Sequence, residues 1–243
     1  MVPTFIAVAV IILSVVISLT LTPRPSVTTF ADEDSPYRTL DAYAAATEEI
    51  MSRYAHSKTK LTIDTQDIER QLLERFPELA AARLRLPVLG RQPSLVLDIH
   101  PPALVLSGNG TSFVLDQSGT VVGRLGDMVT APDNTLPRVQ DQSGLTLEVG
   151  QQAVTTDTVR FITEIMTQLE AKNLRLAQLT LPSSANQLDI RIQDTPYYIK
   201  TDIGGSARLQ MGSFFAVKQE LEGRGEVPSE YIDVRVEEKV FYK

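Results

Sequence analysis

The sequence predicts an α+β chain: a single transmembrane helix, then a compact αβ block, then a second, mixed α/β-sheet block. Three features lead there. Residues 2–21 read VPTFIAVAVIILSVVISLTL without one charge. Behind them, apolar residues recur at helical spacing in some stretches and at every second position, the spacing of a half-buried strand, in others. Clusters of Gly, Pro, Asn, Asp and Ser separate these stretches at short intervals, as turns do in a sheet-rich domain.

Roughly 20 helical residues cover about 30 Å, the hydrocarbon thickness of a bilayer. A helix that long with no polar face is unusual inside a chain of 243 residues. The expectation is a retained anchor over residues 1–22, touching the membrane through residues 2–21. A cleaved secretory signal is the alternative; the start is not basic, the apolar run is long, and Thr29-Phe30-Ala31 is a poor cleavage site. Charge does not orient the helix, because nothing basic precedes it and Arg24 is followed by Asp32, Glu33 and Asp34.

Residues 23–57 read as a Pro- and Thr-rich linker and a packing helix over Tyr37–Tyr54, with Tyr43, Thr47, Ile50 and Met51 on one face. In residues 58–125, Leu61 and Ile63 alternate as a short strand, and Asp64 or Thr65 caps a helix carrying Ile68, Leu72 and Phe76. Strands follow at Leu84–Leu89 and Ser94–Ile99. Pro101-Pro102 breaks the run, and hairpins turn at Gly108-Asn109-Gly110 and Asp116–Gly119. Turn residues dominate Gly126–Gly144, so residues 126–243 form the second, β-rich block with two helices. The first helix opens at Thr155 and carries Val159, Ile162, Ile165 and Leu169. Strands follow near Leu174–Leu181, Leu188–Ile192 and Tyr197–Lys200. The second helix, Ala207–Glu222, stops at Gly223. Tyr231–Val236 alternates strictly, Glu237-Glu238 turns, and Lys239–Lys243 is the last strand.

Composition removes several chemistries. A net charge of −7 speaks against a groove built for nucleic-acid phosphates. With no cysteine there is no thiolate-held zinc, iron–sulfur cluster, thiol nucleophile or disulfide. Only His56 and His100 are available for an acid–base pair, and neither has a partner nearby in sequence. Gly204-Gly205-Ser206 lacks phosphate-loop spacing and reads as a tight strand-to-helix turn. Asp64, Glu69, Asp116, Asp189 and Asp233 fall on caps, turns and polar faces. No catalytic residue, cofactor or metal is expected.

The segments KLTIDTQDIERQLLERFPEL (60–79), SLVLDIHPPALVL (94–106), SFVLDQSGTVV (112–122) and LPRV (136–139) carry a likeness to a known family. The most specific are DIGGSARLQMGSFFAVKQEL (202–221) and YIDVRVEEKVFYK (231–243). In this order they resemble the bacterial cell-division family FtsQ/DivIB, over nearly the whole chain. The sequence departs from that family at His100, where a basic residue is usual, at Glu237-Glu238, and in lacking a basic tail before the apolar run. The resemblance implies a POTRA-like domain over 58–125 and a non-catalytic divisome scaffold in the cell membrane. It implies a single pass, an extracytoplasmic bulk and placement at the septum. FtsB/FtsL-type coiled-coil proteins would be its partners.

An exposed strand edge suffices for such binding, because free N–H and C=O groups accept a partner strand. Read alone, the last two strands are better taken as completing their own sheet; the resemblance reverses that in favour of docking. By motif position it assigns Tyr231, Asp233 and Arg235 to the partner site, and Val240, Phe241 and Tyr242 supply the adjacent pockets. A second edge, near Leu84–Leu89 or Leu95–Ile99, would receive other divisome components. A peptide-binding envelope chaperone and an envelope hydrolase are the alternatives from other classes.

Overall fold

The computed structural model describes residues 2–30, 35–53, 59–130, 136–184 and 186–243. Two compact units divide the chain: Met1–His100 with Met128–Thr130, and Pro101–Asp127 with Ala131–Lys243.

In the first unit the apolar run forms α1 (Val2–Leu19). Its 18 residues give a rise of roughly 27 Å. The end of the run closes the domain instead of extending the helix. The Thr20 N–H donates back to the Ile17 carbonyl, Thr20 bridges Thr59, and Leu21 is buried in the core. Among the described residues no helix is long and apolar enough to cross a membrane. That finding corrects the transmembrane helix expected over residues 2–21.

β1 (Ser26–Thr29) runs parallel to β3 (Ser94–Ile99), and β2 (Leu79–Arg85) pairs antiparallel on the other side, giving the order β1-β3-β2. α2 (Leu40–Arg53) and α3 (Thr65–Arg75) bring Tyr43, Ile50, Met51, Ile68 and Leu72 into one core with Leu84, Leu95 and Leu97. Asp64 is the α3 cap, its carboxylate accepting the Asp67 N–H at 3.1 Å. β1 lies where a linker was expected, since only Val27 and Thr29 turn inward. The strand expected at Leu61 and Ile63 is a turn, in which the N–H groups of Thr62 and Ile63 both donate to the Thr59 carbonyl.

The second unit is one nine-stranded sheet. Its strands are β4 (Pro102–Gly108), β5 (Thr111–Asp116), β6 (Val121–Arg124), β7 (Arg138–Asp141), β8 (Leu176–Leu181), β9 (Gln187–Ile192), β10 (Tyr198–Asp202), β11 (Tyr231–Asp233) and β12 (Phe241–Tyr242). They lie in the order β12-β11-β10-β9-β8-β7-β4-β5-β6. The helices α4 (Thr156–Ala171) and α5 (Ala207–Arg224) are crossovers between parallel neighbours, β7 to β8 and β10 to β11. Both bury their apolar stripes against one face, where Ile162, Ile165, Met211 and Phe214 meet Leu188, Ile190, Ile199 and Ile232. Thr155 and Ser206 cap the helix starts, and Gly225, with φ of 70°, ends α5 in the left-handed conformation. The β4–β6 meander belongs to this sheet through the parallel β4–β7 pairing. The compact units therefore divide at His100–Pro101, whereas the sequence grouped residues 58–125. β7 was hidden because its four residues sit among turn formers.

Candidate functional site

The site is built at the β12 end of the large sheet. Sequence alternation sets its two faces. Ile232 and Val234 of the β11 segment point into the helix-covered core, so Tyr231, Asp233 and Arg235 point to the open face. Tyr231 and Asp233 are aligned with Tyr198 and Lys200 of β10 in parallel register. The Lys200 ammonium lies 4.4 Å from the Tyr231 ring centroid.

Asp233 and Arg235 form a local clamp. The Arg235 guanidinium donates to both carboxylate oxygens of Asp233, from Nε at 2.9 Å and Nη2 at 2.6 Å, and its backbone N–H donates to Oδ1 at 3.1 Å. Its Nη1 donates to Gln187 Oε1 at 2.8 Å. Burial works to raise the Asp233 pKa, but the Arg235 hydrogen bonds and the charges of Arg235 and Lys200 outweigh it and hold the carboxyl below its usual range. The same carboxylate raises the Arg235 pKa. This clamp also explains why β11 is shorter than the alternation of Tyr231–Val236. The Arg235 N–H is spent on the Asp233 side chain rather than on a neighbouring strand.

The turn back is closed by the Lys239 N–H donating to the Val236 carbonyl at 3.2 Å, with Glu238 at φ of 60°. β12 then pairs antiparallel with β11, Tyr242 opposite Ile232 and Phe241 opposite Asp233. Tyr231 and Lys243 exchange both backbone hydrogen bonds, at 3.1 and 3.4 Å. In an antiparallel ladder these doubly bonded pairs alternate with unbonded ones. The backbone groups of Phe241 and Lys243 therefore face β11, and those of Val240 and Tyr242 face outward. Among the described residues no backbone hydrogen bond reaches outward from Val240 or Tyr242. Val240 packs on the core, while Phe241 and Tyr242 are 53% and 47% exposed, on opposite faces of the strand. The Lys243 carbonyl accepts from Ser229 and Glu230, and its ammonium pairs with Glu230 at 2.8 Å, which pins the strand in place.

Two other outer strands, β6 and β2, are met by other segments. The outer side of β6 is met by residues 150–153: the Val121 N–H donates to Gln151 and the Gly150 N–H to Val121. On β2 the Leu84 N–H is taken by Glu69 Oε1 at 2.7 Å. β3 lies between β1 and β2, so Leu95–Ile99 is no edge, and β2 ends at Arg85, short of the expected Leu89.

The structure thus brings Tyr231, Asp233, Arg235, Val240, Phe241 and Tyr242 together at one sheet edge. Sequence reasoning missed Gln187 and Lys200, which orient Arg235 and Tyr231. Both sit on the polar phase of alternating strands, but their partners are 48 and 31 positions away, beyond any local pattern. The carboxylates weighed for chemistry hold local structure: Asp189 Oδ1 accepts from Gln187 Nε2 at 2.7 Å, and Glu69 takes the Leu84 N–H. Asp116 Oδ1 accepts the N–H groups of Ser118 and Thr120, each at 2.9 Å, and Asp64 caps α3. The His100 backbone joins Glu78 and Tyr37, while His56 lies outside the described residues. Among the described residues no group of three or more His, Cys, Asp or Glu is placed to hold a metal ion.

Comparison with protein-family models and with curated proteins gives no match for this chain.

Proposed function

We propose that this chain is a non-catalytic scaffold that captures an extended segment of a partner protein by strand addition on β12. The observation that supports it is the outward N–H and C=O pair of Val240 and of Tyr242 on an edge that, among the described residues, no backbone hydrogen bond covers. These two residues offer four main-chain groups. At about 0.5–1.5 kcal/mol net for each hydrogen bond, the ladder alone contributes roughly 2–6 kcal/mol. That is too little for stable capture after the entropy of association. Phe241 and Tyr242 supply the remainder, since burying such a side chain contributes about 1.5–3 kcal/mol. On the open face, the Asp233–Arg235 clamp and Tyr231 offer charge and ring contacts to alternate side chains of the docked strand.

The likeness to FtsQ/DivIB gives this edge its occupant: an FtsB/FtsL-type coiled-coil division protein, at the septum of the cell envelope. The test is pull-down of such a partner by the full chain and by its Val240→Pro and Phe241→Asp variants. Val240→Pro deletes an outward donor, and Phe241→Asp puts a charge where an apolar contact forms. Both are expected to abolish capture with an unchanged circular dichroism spectrum. Capture that survives both changes overturns strand addition. A fluorescent fusion is expected to form a mid-cell band, and uniform envelope fluorescence counts against the divisome assignment.

A further inference from the structure

At one end of the first unit, three segments are knitted together by hydrogen bonds. The Lys60 N–H donates to the Leu19 carbonyl at the end of α1, at 2.9 Å. The Thr22 N–H donates to the Arg91 carbonyl at 2.8 Å. The Lys60 ammonium donates to the Val88 carbonyl at 3.4 Å. The end of the apolar helix, the turn 59–63 and the β2–β3 loop 86–93 are therefore neighbours. Each of the two loops displays apolar side chains outward: Leu61 is 77% exposed, Val88 92% and Leu89 86%. Their exposure is not the product of a slack loop. Pro87 and Pro93 bracket the β2–β3 loop, Gly90 makes its turn at φ of 87°, and Arg91 is bonded to Thr22.

Charge at this end is as distinctive. The chain carries a net −7, yet residues 59–63 and 86–93 contain Lys60 and Arg91 and no carboxylate. At 77–92% exposed, these three side chains project from the surface and are not the walls of a groove. A second copy would bring like charges together. A deformable apolar phase bounded by anions fits all of these features, and the adjoining helix presents Leu13, Val16 and Ile17 to the same surroundings, each about half exposed.

We propose that this end of the first unit docks on a lipid surface, with Leu61, Val88 and Leu89 immersed at headgroup depth and Lys60 and Arg91 on the lipid phosphates. The contact is peripheral and needs no helix to cross the bilayer. It is independent of β12 and of the strand-addition reading.

The chain has no tryptophan, so Leu89→Trp installs a sole reporter at the tip, and Val227→Trp, on an exposed residue of the second unit, is its control. The full chain is mixed with phosphatidylcholine vesicles containing phosphatidylglycerol, with and without lipids brominated near the headgroup. The Leu89→Trp emission is expected to shift to the blue and be quenched, and the control to stay unchanged. Replacing Lys60 and Arg91 together by Gln is expected to weaken vesicle binding roughly thirtyfold, at about 1 kcal/mol per cation near an anionic surface. Three results overturn the proposal: a chain that does not sediment with vesicles, a bound chain whose Leu89→Trp emission is unmoved, or a blue shift without vesicles that grows with protein concentration. The last of these assigns the surface to a second copy. Val88→Trp repeats the measurement if Leu89→Trp misfolds.

Discussion

Glu78 sits at the base of β2 with its side chain 1% exposed, and Arg38 meets its charge. Oε1 accepts from the Arg38 Nε at 2.8 Å and from the Tyr43 hydroxyl at 3.1 Å, while Oε2 has no hydrogen-bond partner among the described residues. A buried carboxylate without its donors costs several kcal/mol, so the Tyr43 hydroxyl must stay protonated for the first unit to hold together. Burial does most to raise the Tyr43 pKa; the Glu78 charge adds to it, and the Ser35 hydrogen bond offsets part of it. The sign of the pH effect follows. The folded chain keeps the Tyr43 proton at a pH where the unfolded chain releases it, so the network's stability is fully present below the ordinary tyrosine value and falls as pH rises above about 10. Urea denaturation followed at rising alkaline pH is expected to show this loss, and Tyr43→Phe is expected to flatten it. An equal alkaline slope in both proteins would assign the effect to other groups.

At the scale of elements, closed edges and tight turns are built by side chains that sequence periodicity does not register. Gly119 makes the β5–β6 turn at φ of 83°, and a Cβ there would lie 2.1 Å from the Val154 carbonyl oxygen. Its own carbonyl accepts the Ala153 N–H at 2.9 Å, which helps lay residues 150–153 along the β6 edge. Gly119→Ala is expected to destabilise the second unit by about 2–4 kcal/mol in chemical denaturation, from left-handed strain and the displaced segment together. A cost under about 1 kcal/mol would mean that residues 150–153 move aside freely. The helices were legible because stripes such as Ile68–Leu72 and Val159–Ile162–Ile165–Leu169 are buried as a set. The Asn109-Gly110 turn was legible because both residues take positive φ, at 50° and 79°, as that hairpin type requires. β1 and β7 were not, since SVTT and RVQD each turn few apolar residues inward and are held by pairing with distant strands. At the candidate site, alternation identified the β12 residues and the faces they occupy. That the edge is open follows only from the place of β12 at the end of its sheet and from the ladder phase that turns Val240 and Tyr242 outward.

At the scale of the whole molecule, each unit carries its own core, and residue 101 rather than residue 126 begins the second. The distinction is physical. β4 contributes Leu104 and Leu106 and β5 contributes Leu115 to the core beneath the large sheet, each at most 1% exposed. β4 also pairs with β7 through Val105, Leu106 and Ser107. Starting at residue 126 removes those side chains and leaves β7, with Val139 buried in the middle of the sheet, open along one side. Each lost core leucine costs about 2–5 kcal/mol when cut back to alanine, and three of them match the whole stability of an ordinary domain. Residues 101–243 expressed alone are therefore expected to unfold in one cooperative transition and to retain partner capture on β12. Residues 126–243 are expected to be unfolded or aggregated, as dispersion in an amide NMR spectrum would report. If the shorter fragment folds with the same cooperativity, β4–β6 are an appendage and the sheet's working core lies between β7 and β11. If the longer fragment fails as well, the second unit depends on residues before Pro101, and the division of the chain into two self-sufficient cores is wrong.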